Sequence, residues 1–549
     1  MRLQIIFICA SVGVIFGSTS LAQTAALPPA PSGLFLTSDQ CIACHSNLRT
    51  ASGEDVSIGY NWRASIMANA ARDPYWHAGV RREVMDHPEA QAEIEDTCST
   101  CHMPMSRFEA ASAGGQGAVF ATLAAAAAAA GADPSAEAHA QLGMDGVSCT
   151  VCHQIRSDNF GEHASFDGGF VIDDTLPAGE RQIFGPHAVD AGRQVVMQSA
   201  ARFLPSETTH LQQSEMCATC HTLFTTPLNE AGEPIGELPE QVPYLEWLNS
   251  SYRETASCQS CHMPELEEEA AITSVLGQPR PNFSRHVFQG GNAFMLGIFN
   301  KHRGQLGVVA LPQELDAEIA RTKEFLRTDT ARVSIESARL DDGILAIDVA
   351  VENLAGHKFP TAYPSRRAWL HLAVVDGEGT VVFESGAMQE NGAIAGNDND
   401  ADGSLFEPHY DEIRSADQVQ IYEPIMVDEH DGVTTGLLTG VRYIKDNRLL
   451  PQGFDKGGAS EDVAVQGAAS EDGNFVAGGD RLSYRIDVGD RAPEALRVDV
   501  QLLFQTIGRR WAENLRAYDA AETRRFLAYY DDAVADSAML IAETSAEVR

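Results

Sequence analysis

Five copies of one pentapeptide constrain this chain more than any other feature: Cys41-Ile-Ala-Cys44-His45, Cys98-Ser-Thr-Cys101-His102, Cys149-Thr-Val-Cys152-His153, Cys217-Ala-Thr-Cys220-His221 and Cys258-Gln-Ser-Cys261-His262. Two thiols separated by two residues stand on one turn of backbone. Both can there be tied to the two vinyl groups of a single porphyrin, and the following histidine can meet the iron. Each copy therefore reads as a c-type haem attachment site, with His45, His102, His153, His221 and His262 as proximal ligands. Zinc knuckles and thioredoxin-like dithiols also use paired cysteines. Neither requires a histidine at the same offset five times, so the expectation is five covalently attached haem c groups.

The remaining cysteine agrees with that count. Of the 11 cysteines, only Cys9 lies outside the motifs, inside the apolar run that follows Met1-Arg2. A short positive start, an apolar stretch and small residues ending at Ala22 form a secretory signal over residues 1–22, and Cys9 leaves with it. The mature chain then has no cysteine left for a disulfide, although export would permit one. The expected location is the periplasm or the cell exterior. No later segment offers the ~20 apolar residues of a spanning helix; the nearest, Ala118 to Ala132, is alanine-rich and reads as a surface helix or insertion. A formal net charge of −38 argues against nucleic acid and anionic membrane as partners and favours basic redox proteins, or simply high solubility.

In chain order, residues 23–33 form a proline- and alanine-rich lead, and residues 34–310 hold all five motifs among short helical pieces and glycine- or proline-marked loops. Residues 311–331, with Leu315, Ile319 and Phe325 near helical spacing, form a connecting helix. From residue 332 to 508 the pattern changes to short alternating runs divided by turns such as Asp341-Asp342-Gly343, which predicts an antiparallel β-sandwich. Residues 509–549 read as a final amphipathic helix over Trp511 to Ala533, with a tail. The expected fold class is α+β and multidomain: a mostly helical and loop-rich multihaem cytochrome c domain, then the sandwich, then the C-terminal helix.

The haem half resembles the cytochrome c-552/c-554 type of multihaem cytochromes, a group similar to the haem domains of hydroxylamine- and tetrathionate-converting enzymes. Besides the motifs, the resemblance rests on Trp62-Arg-Ala-Ser65-Ile-Met67-Ala68, His210-Leu-Gln-Gln-Ser214-Glu-Met-Cys217 and Ser284-Arg-His286-Val-Phe288-Gln-Gly290-Gly291-Asn292. Gly356-His357-Lys358-Phe359-Pro360-Thr361 is similar to a stretch of β-domains attached to such cytochromes. The resemblance implies closely stacked haems and electron transfer, and it fixes no substrate.

An iron that only passes electrons takes a sixth ligand, whereas an enzyme leaves one iron open. Among 17 histidines, His210 and His286 are the distal candidates that match the family pattern. His163 and His187, in loop-forming sequence, come next, each with solvent exposure or a hydrogen bond as the alternative. His357 either reaches back from the sandwich to a haem or closes a strand-end turn. Met67 stands where related cytochromes carry histidine; it is either a thioether ligand, which would raise that haem's potential, or a core methionine. His77, His87, His139 and His302 remain as substitutes.

Asp398-Asn-Asp400-Ala-Asp402-Gly403 has the alternate carboxylates and glycine that begin a calcium loop, but position twelve is His409 where an EF-hand has glutamate. The expectation weighs Ca2+ against an acidic surface loop. No catalytic residue is assigned: all five motifs keep histidine, and the candidate acid–base or substrate-orienting groups, the histidines left over from ligation and Arg366-Arg367 beside Tyr363, read instead as ordinary strand-edge surface. The chain is thus expected to be an exported pentahaem cytochrome carrying electrons between cell-envelope redox partners. The alternatives are an oxidoreductase acting on a small nitrogen or sulfur species at one open haem, and a subunit of a larger multihaem assembly or oligomer.

Overall fold

Alternation of apolar and polar side chains along residues 331–548 folds this part of the chain into sheets, because successive residues of a strand face opposite sides. The computed structural model describes residues 33–128, 134–489 and 495–548. The expected leader and most of the lead lie outside these residues, as does the end of the alanine run, whose first part forms the helix Val119–Ala127. The whole is a mixed α+β structure.

Two sheets face each other. In one, Arg367–Asp376 lies between Val381–Ser385 and Leu496–Gln505, and Ala538–Glu547 pairs with the far side of Leu496–Gln505. In the other, the order is Glu412–Ile413, Gly479–Asp487, Ile344–Asn353 and Ala331–Asp341. Register sets Leu372 opposite Val500 and Ile347 opposite Tyr484. Leu345, Ile347, Val349, Leu370, Leu372, Val498, Val500 and Leu502 share one apolar core with Leu482 and Tyr484, all buried. Within these two sheets every long pairing is antiparallel, and Glu412–Ile413 joins Gly479–Asp487 in parallel.

The C-terminal end differs from its sequence expectation. The single helix over Trp511 to Ala533 is two, Arg509–Asn514 and Ala521–Ala533. The break lies at Tyr518, whose backbone is extended and whose carbonyl accepts the Thr523 hydroxyl at 2.6 Å. The tail is a strand, Ala538–Glu547, with Met539 and Ile541 buried. Its later residues alternate only among small and polar types, which is why periodicity missed it.

The first half is built of short helices. Pro74–Asp86 begins where Asp73 accepts the amides of Tyr75 and Trp76, with Pro74 at the position that has no amide to satisfy. It packs along Ala521–Ala533 through Arg81 and Glu522, 3.0 Å apart. The connecting helix is Pro312–Asp329, burying Leu315, Thr322 and Leu326, and it leads directly into the first long strand. Apolar packing in this half comes in one larger group around Phe294, Met295, Ile298, Phe299 and Leu315, shared with the C-terminal helices, and in small separate ones, such as Leu48, Val56, Leu266, Ala270 and Phe283, or Phe166, Ala218 and Tyr244.

Candidate functional site

Each pentapeptide forms about one helical turn. The amide of the histidine donates to the carbonyl of the first cysteine in three of them: His45 to Cys41 at 3.0 Å, His153 to Cys149 at 3.1 Å and His221 to Cys217 at 2.9 Å. The other two turns end the helices Gln91–His102 and Cys258–His262. This geometry sets both thiols and the imidazole on one side of the backbone. Four of the five rings then spend Nδ1 on a backbone carbonyl: His45 on Ile272 at 2.6 Å, His102 on Ala70 at 3.2 Å, His153 on Phe184 at 2.6 Å and His262 on Gln289 at 2.6 Å. Such a bond fixes the tautomer and leaves Nε2 with its lone pair, the arrangement of a metal-ligating imidazole. Burial lowers the pKa of all five, to about 4 for His102 and His262, so the rings are neutral, as ligands must be.

The motifs also adjoin one another. The Cys41 thiol neighbours that of Cys149, Cys101 neighbours Cys220, and Cys217 neighbours Cys258. Cys152 interacts with Cys220 as well. The contacts trace a path from the first motif to the third and then to the fourth, which branches to the second and the fifth. Burial raises the thiols of Cys98 and Cys152, the latter to about 12. Among the described residues no cysteine joins two other ligand groups in a cluster close enough to share a metal ion.

Two proximal rings face a second histidine. His153 and His286 have ring centroids 6.3 Å apart and planes within 13°; His262 and His357 stand 6.2 Å apart, within 15°. Metal–imidazole bonds are about 2 Å long, so two rings sharing one metal have centroids roughly 6 Å apart. Nδ1 of His286 lies 3.1 Å from the Ser284 carbonyl and Nδ1 of His357 lies 2.9 Å from that of Lys358, which again leaves Nε2. On the second motif, Trp76 stacks flat on His102, with centroids 4.4 Å apart.

The other candidates are placed differently. His210 is buried with both nitrogens engaged, Nδ1 with the Thr208 hydroxyl at 2.6 Å and Nε2 with the Ile155 carbonyl at 2.8 Å. Its match to the family pattern does not give it a free ligand atom. His163 lies on the surface, stacked on Phe224 and 3.7 Å from Glu237. His187 is half-buried near Arg280 and Glu207. Met67 opens a 3-10 turn, and its carbonyl accepts the Val147 amide. Among the substitutes, His77 bonds Ala71 and Arg525, and His302 stacks on Tyr529. Nε2 of His302 has no hydrogen-bond partner, though it lies 3.7 Å from Asp532, and the same lack is found in Nε2 of His87 and Nδ1 of His139, both buried residues. A buried orphan nitrogen requires an explanation, and no sequence pattern singled these two out.

The acidic loop does not gather its carboxylates. Asp398–Ala401 is a helical turn; Asp400 is buried and accepts Arg367 at 2.9 Å and the Ile394 amide at 2.8 Å, while exposed Asp402 accepts the amide and hydroxyl of Ser404. Asp400 is thus neutralised by a guanidinium rather than left for a cation. His409, Asp472 and Asp480 do converge. However, Nδ1 of His409 accepts from the amides of Gln420 at 2.8 Å and Asn447 at 3.1 Å, which places the proton on Nε2 facing Asp472 at 3.0 Å. The lone pair a metal would need is already used.

Arg366 and Arg367 are not strand-edge surface. Arg367 is buried on Asp400 and Gln505. Arg366 bonds the Thr361 carbonyl at 2.9 Å, and burial lowers its pKa to about 10. Its charge lies close enough to lower the pKa of His221, and no carboxylate among the described residues pairs with it.

Covalent haem fits this site: paired thiols on one turn, five neutral imidazoles, orphan nitrogens on His87 and His139, and facing rings at the spacing of a shared metal. No family model and no curated protein matches the chain. A crystal structure of a penta-heme cytochrome c552 from Thermochromatium tepidum aligns with it at a TM-score of 0.48 and 15% identity, covering 94% of this chain and 100% of that one.

Proposed function

We propose that this chain is an exported pentahaem c-type cytochrome that carries single electrons between redox partners of the cell envelope. Five haems would be anchored by Cys41 and Cys44, Cys98 and Cys101, Cys149 and Cys152, Cys217 and Cys220, and Cys258 and Cys261, with the following histidines as proximal ligands. The observation that carries the reading is the adjacency of thiols from different motifs. Cysteines committed to separate porphyrins lie close enough to perturb one another's titration, which would bring the edges of those porphyrins together. Bound haem supplies reversible one-electron chemistry; the chain's residues supply spacing, neutral imidazoles and shielding from water.

His286 would complete the iron of the third motif and His357 that of the fifth, while His87 and His139 supply further ligand atoms. The two facing sheets would serve as a β-sandwich module docked on the haem half. The charge of −38 suits basic partners, and no helix among the described residues is long and apolar enough to cross a membrane. The test is the mass of the exported protein under denaturing conditions, followed by electron paramagnetic resonance of the oxidised form. Five haem additions with low-spin irons support the reading; absence of covalent haem ends it.

A second reading rests on Arg366. A half-buried guanidinium with no carboxylate paired to it among the described residues, beside His221 and near Tyr363, is suited to hold a small anion at an open iron. It predicts that nitrite or sulfite shifts the spectrum of one haem and that Arg366→Gln abolishes the shift. If neither anion changes any spectrum, Arg366 has no such role.

A further inference from the structure

His357 does not belong to the helical half in which the fifth motif lies. It sits on the turn that follows the strand Ile344–Asn353 of the second sheet, yet its ring faces His262. Something must hold a turn of one half against a ring of the other. The turn itself is fastened by Asn353, fully buried, whose side-chain amide donates at 2.9 Å to the carbonyls of both His357 and Leu449. Phe359 and Leu449 exchange both backbone hydrogen bonds.

Beneath the turn lies a closed group of four charges. Glu246, from the short helix Pro243–Leu248 between the fourth and fifth motifs, is fully buried. Its Oε2 accepts the Lys358 amide at 3.1 Å and the Thr361 hydroxyl at 2.5 Å, and Arg448 Nη1 stands 2.8 Å from Oε1 as a charge contact. Arg448 grips Asp446 with two bonds of 2.8 Å, and Lys358 Nζ meets the same carboxylate at 2.7 Å. Two cations and two anions balance. A buried ion group contributes little net stability over an apolar equivalent, but removing one member strands the others. Its use is to hold one geometry, and the element held is the backbone on both sides of His357.

We propose that Glu246, Arg448, Asp446 and Lys358 are positioning residues that hold His357 as the axial ligand opposite His262, so that the two-sheet half completes a haem site begun in the helical half. The inference rests on the covalent-haem reading above. On this account docking of the two halves and ligation of the fifth iron are one event. A change that loosens the interface would be read as a change of spin state at one iron in five.

The experiment uses the full-length exported protein, with covalent haem counted by mass before anything else. A protein without haem overturns the functional reading and leaves the positioning question with no object. With five haems attached, His357→Ala should show a high-spin signal equal to one iron in five, and added imidazole should restore the low-spin spectrum. Glu246→Gln should give the same signal at part occupancy, with the midpoint potential of that haem shifted. Should Glu246→Gln not accumulate, Thr361→Val removes one of the two Oε2 hydrogen bonds without a charge change and should give a smaller high-spin fraction. Unchanged low-spin spectra in His357→Ala overturn the ligand assignment. A normal spectrum in both Glu246→Gln and Thr361→Val, or in Thr361→Val where Glu246→Gln does not accumulate, overturns the positioning role.

Discussion

The two halves of this molecule hold themselves together in different ways. Between the facing sheets lies one continuous apolar core, from Leu345 and Val349 across to Val500 and Phe504, with hydrogen-bonded strands on either side. The helical half has one apolar cluster around Phe294, Met295, Ile298 and Phe299, shared with the C-terminal helices, and otherwise small groups, with cysteines and histidines of the five motifs only partly covered between them. A chain segment this long ordinarily buries a single core. Around the motifs the apolar groups are small, which suits a half that, on the reading proposed above, packs around five porphyrins. The largest expected effect follows. In Cys217→Ala/Cys220→Ala the branch point of the motif path is lost, so the helical half should become protease-sensitive while fragments of the sheet half survive. Equal protection of both halves in a digestion time course would break the contrast.

The second prediction concerns the sheet half alone. Arg367 is tied to Asp400, Gln505 and the Gly392 carbonyl in the buried core. Arg367→Met leaves the Asp400 carboxylate buried without its counter-charge, a loss of about 3–5 kcal/mol, to be read as a lower urea midpoint of the sheet half with haem content unchanged. Asp400→Asn in the same background should recover much of it. Added calcium should not, since Asp400 and Asp402 are committed to different partners.

How much of this was legible in the sequence divides along the same line. Strands announced themselves by alternation because a two-sided sheet imposes a period of two; the alternating stretch expected over residues 332–508 contains the strands Ile344–Asn353 and Leu496–Gln505. The motifs announced the anchoring chemistry because thioether spacing is local. Facing histidines are not local. His286 and His357 reach His153 and His262 over long stretches of chain, and nothing in a five-residue window distinguishes them from His210, whose nitrogens are occupied by Thr208 and Ile155. The ion group under His357 was illegible for the same reason: Glu246 and Arg448 meet only in three dimensions.

A third prediction, smaller again, uses pH. Burial holds His409 down to about 4, whereas it raises Asp480 to about 7. A histidine with a lowered folded pKa is more readily protonated when unfolded, so stability falls as pH drops from 6.5 towards 4. An aspartate with a raised folded pKa does the reverse, gaining stability as pH falls from 7 towards 3.8. Each contribution is at most roughly 3–4 kcal/mol, and in the wild type they largely cancel between pH 4 and 6.5. Asp480→Asn removes one side of the balance. Its urea midpoint should then fall with acidification, by a margin of about 3 kcal/mol at pH 4, where the wild type stays nearly level. A flat profile in the variant would mean that His409 is not held neutral.

The smallest effect is expected where a charged pair lies outside either core. Arg516 meets Asp531 at 2.6 Å and Glu513 at 3.1 Å on the surface between the last two helices, with side chains 41%, 51% and 24% accessible. Water screens such a pair, and holding two long side chains in one geometry opposes the Coulomb gain, so exposed pairs contribute about 0–1 kcal/mol. Arg516→Ala should therefore shift the urea midpoint of neither half measurably, and raising the salt concentration should leave the wild type and the variant indistinguishable. The helices it joins are held by Phe526 and Tyr530, buried against Phe294 and Tyr75. These are apolar contacts made where the C-terminal segment folds back on the helical half, and salt does not weaken them. A loss approaching that of Arg367→Met would mean that surface charge, rather than this apolar seam, fastens the last helices to the helical half.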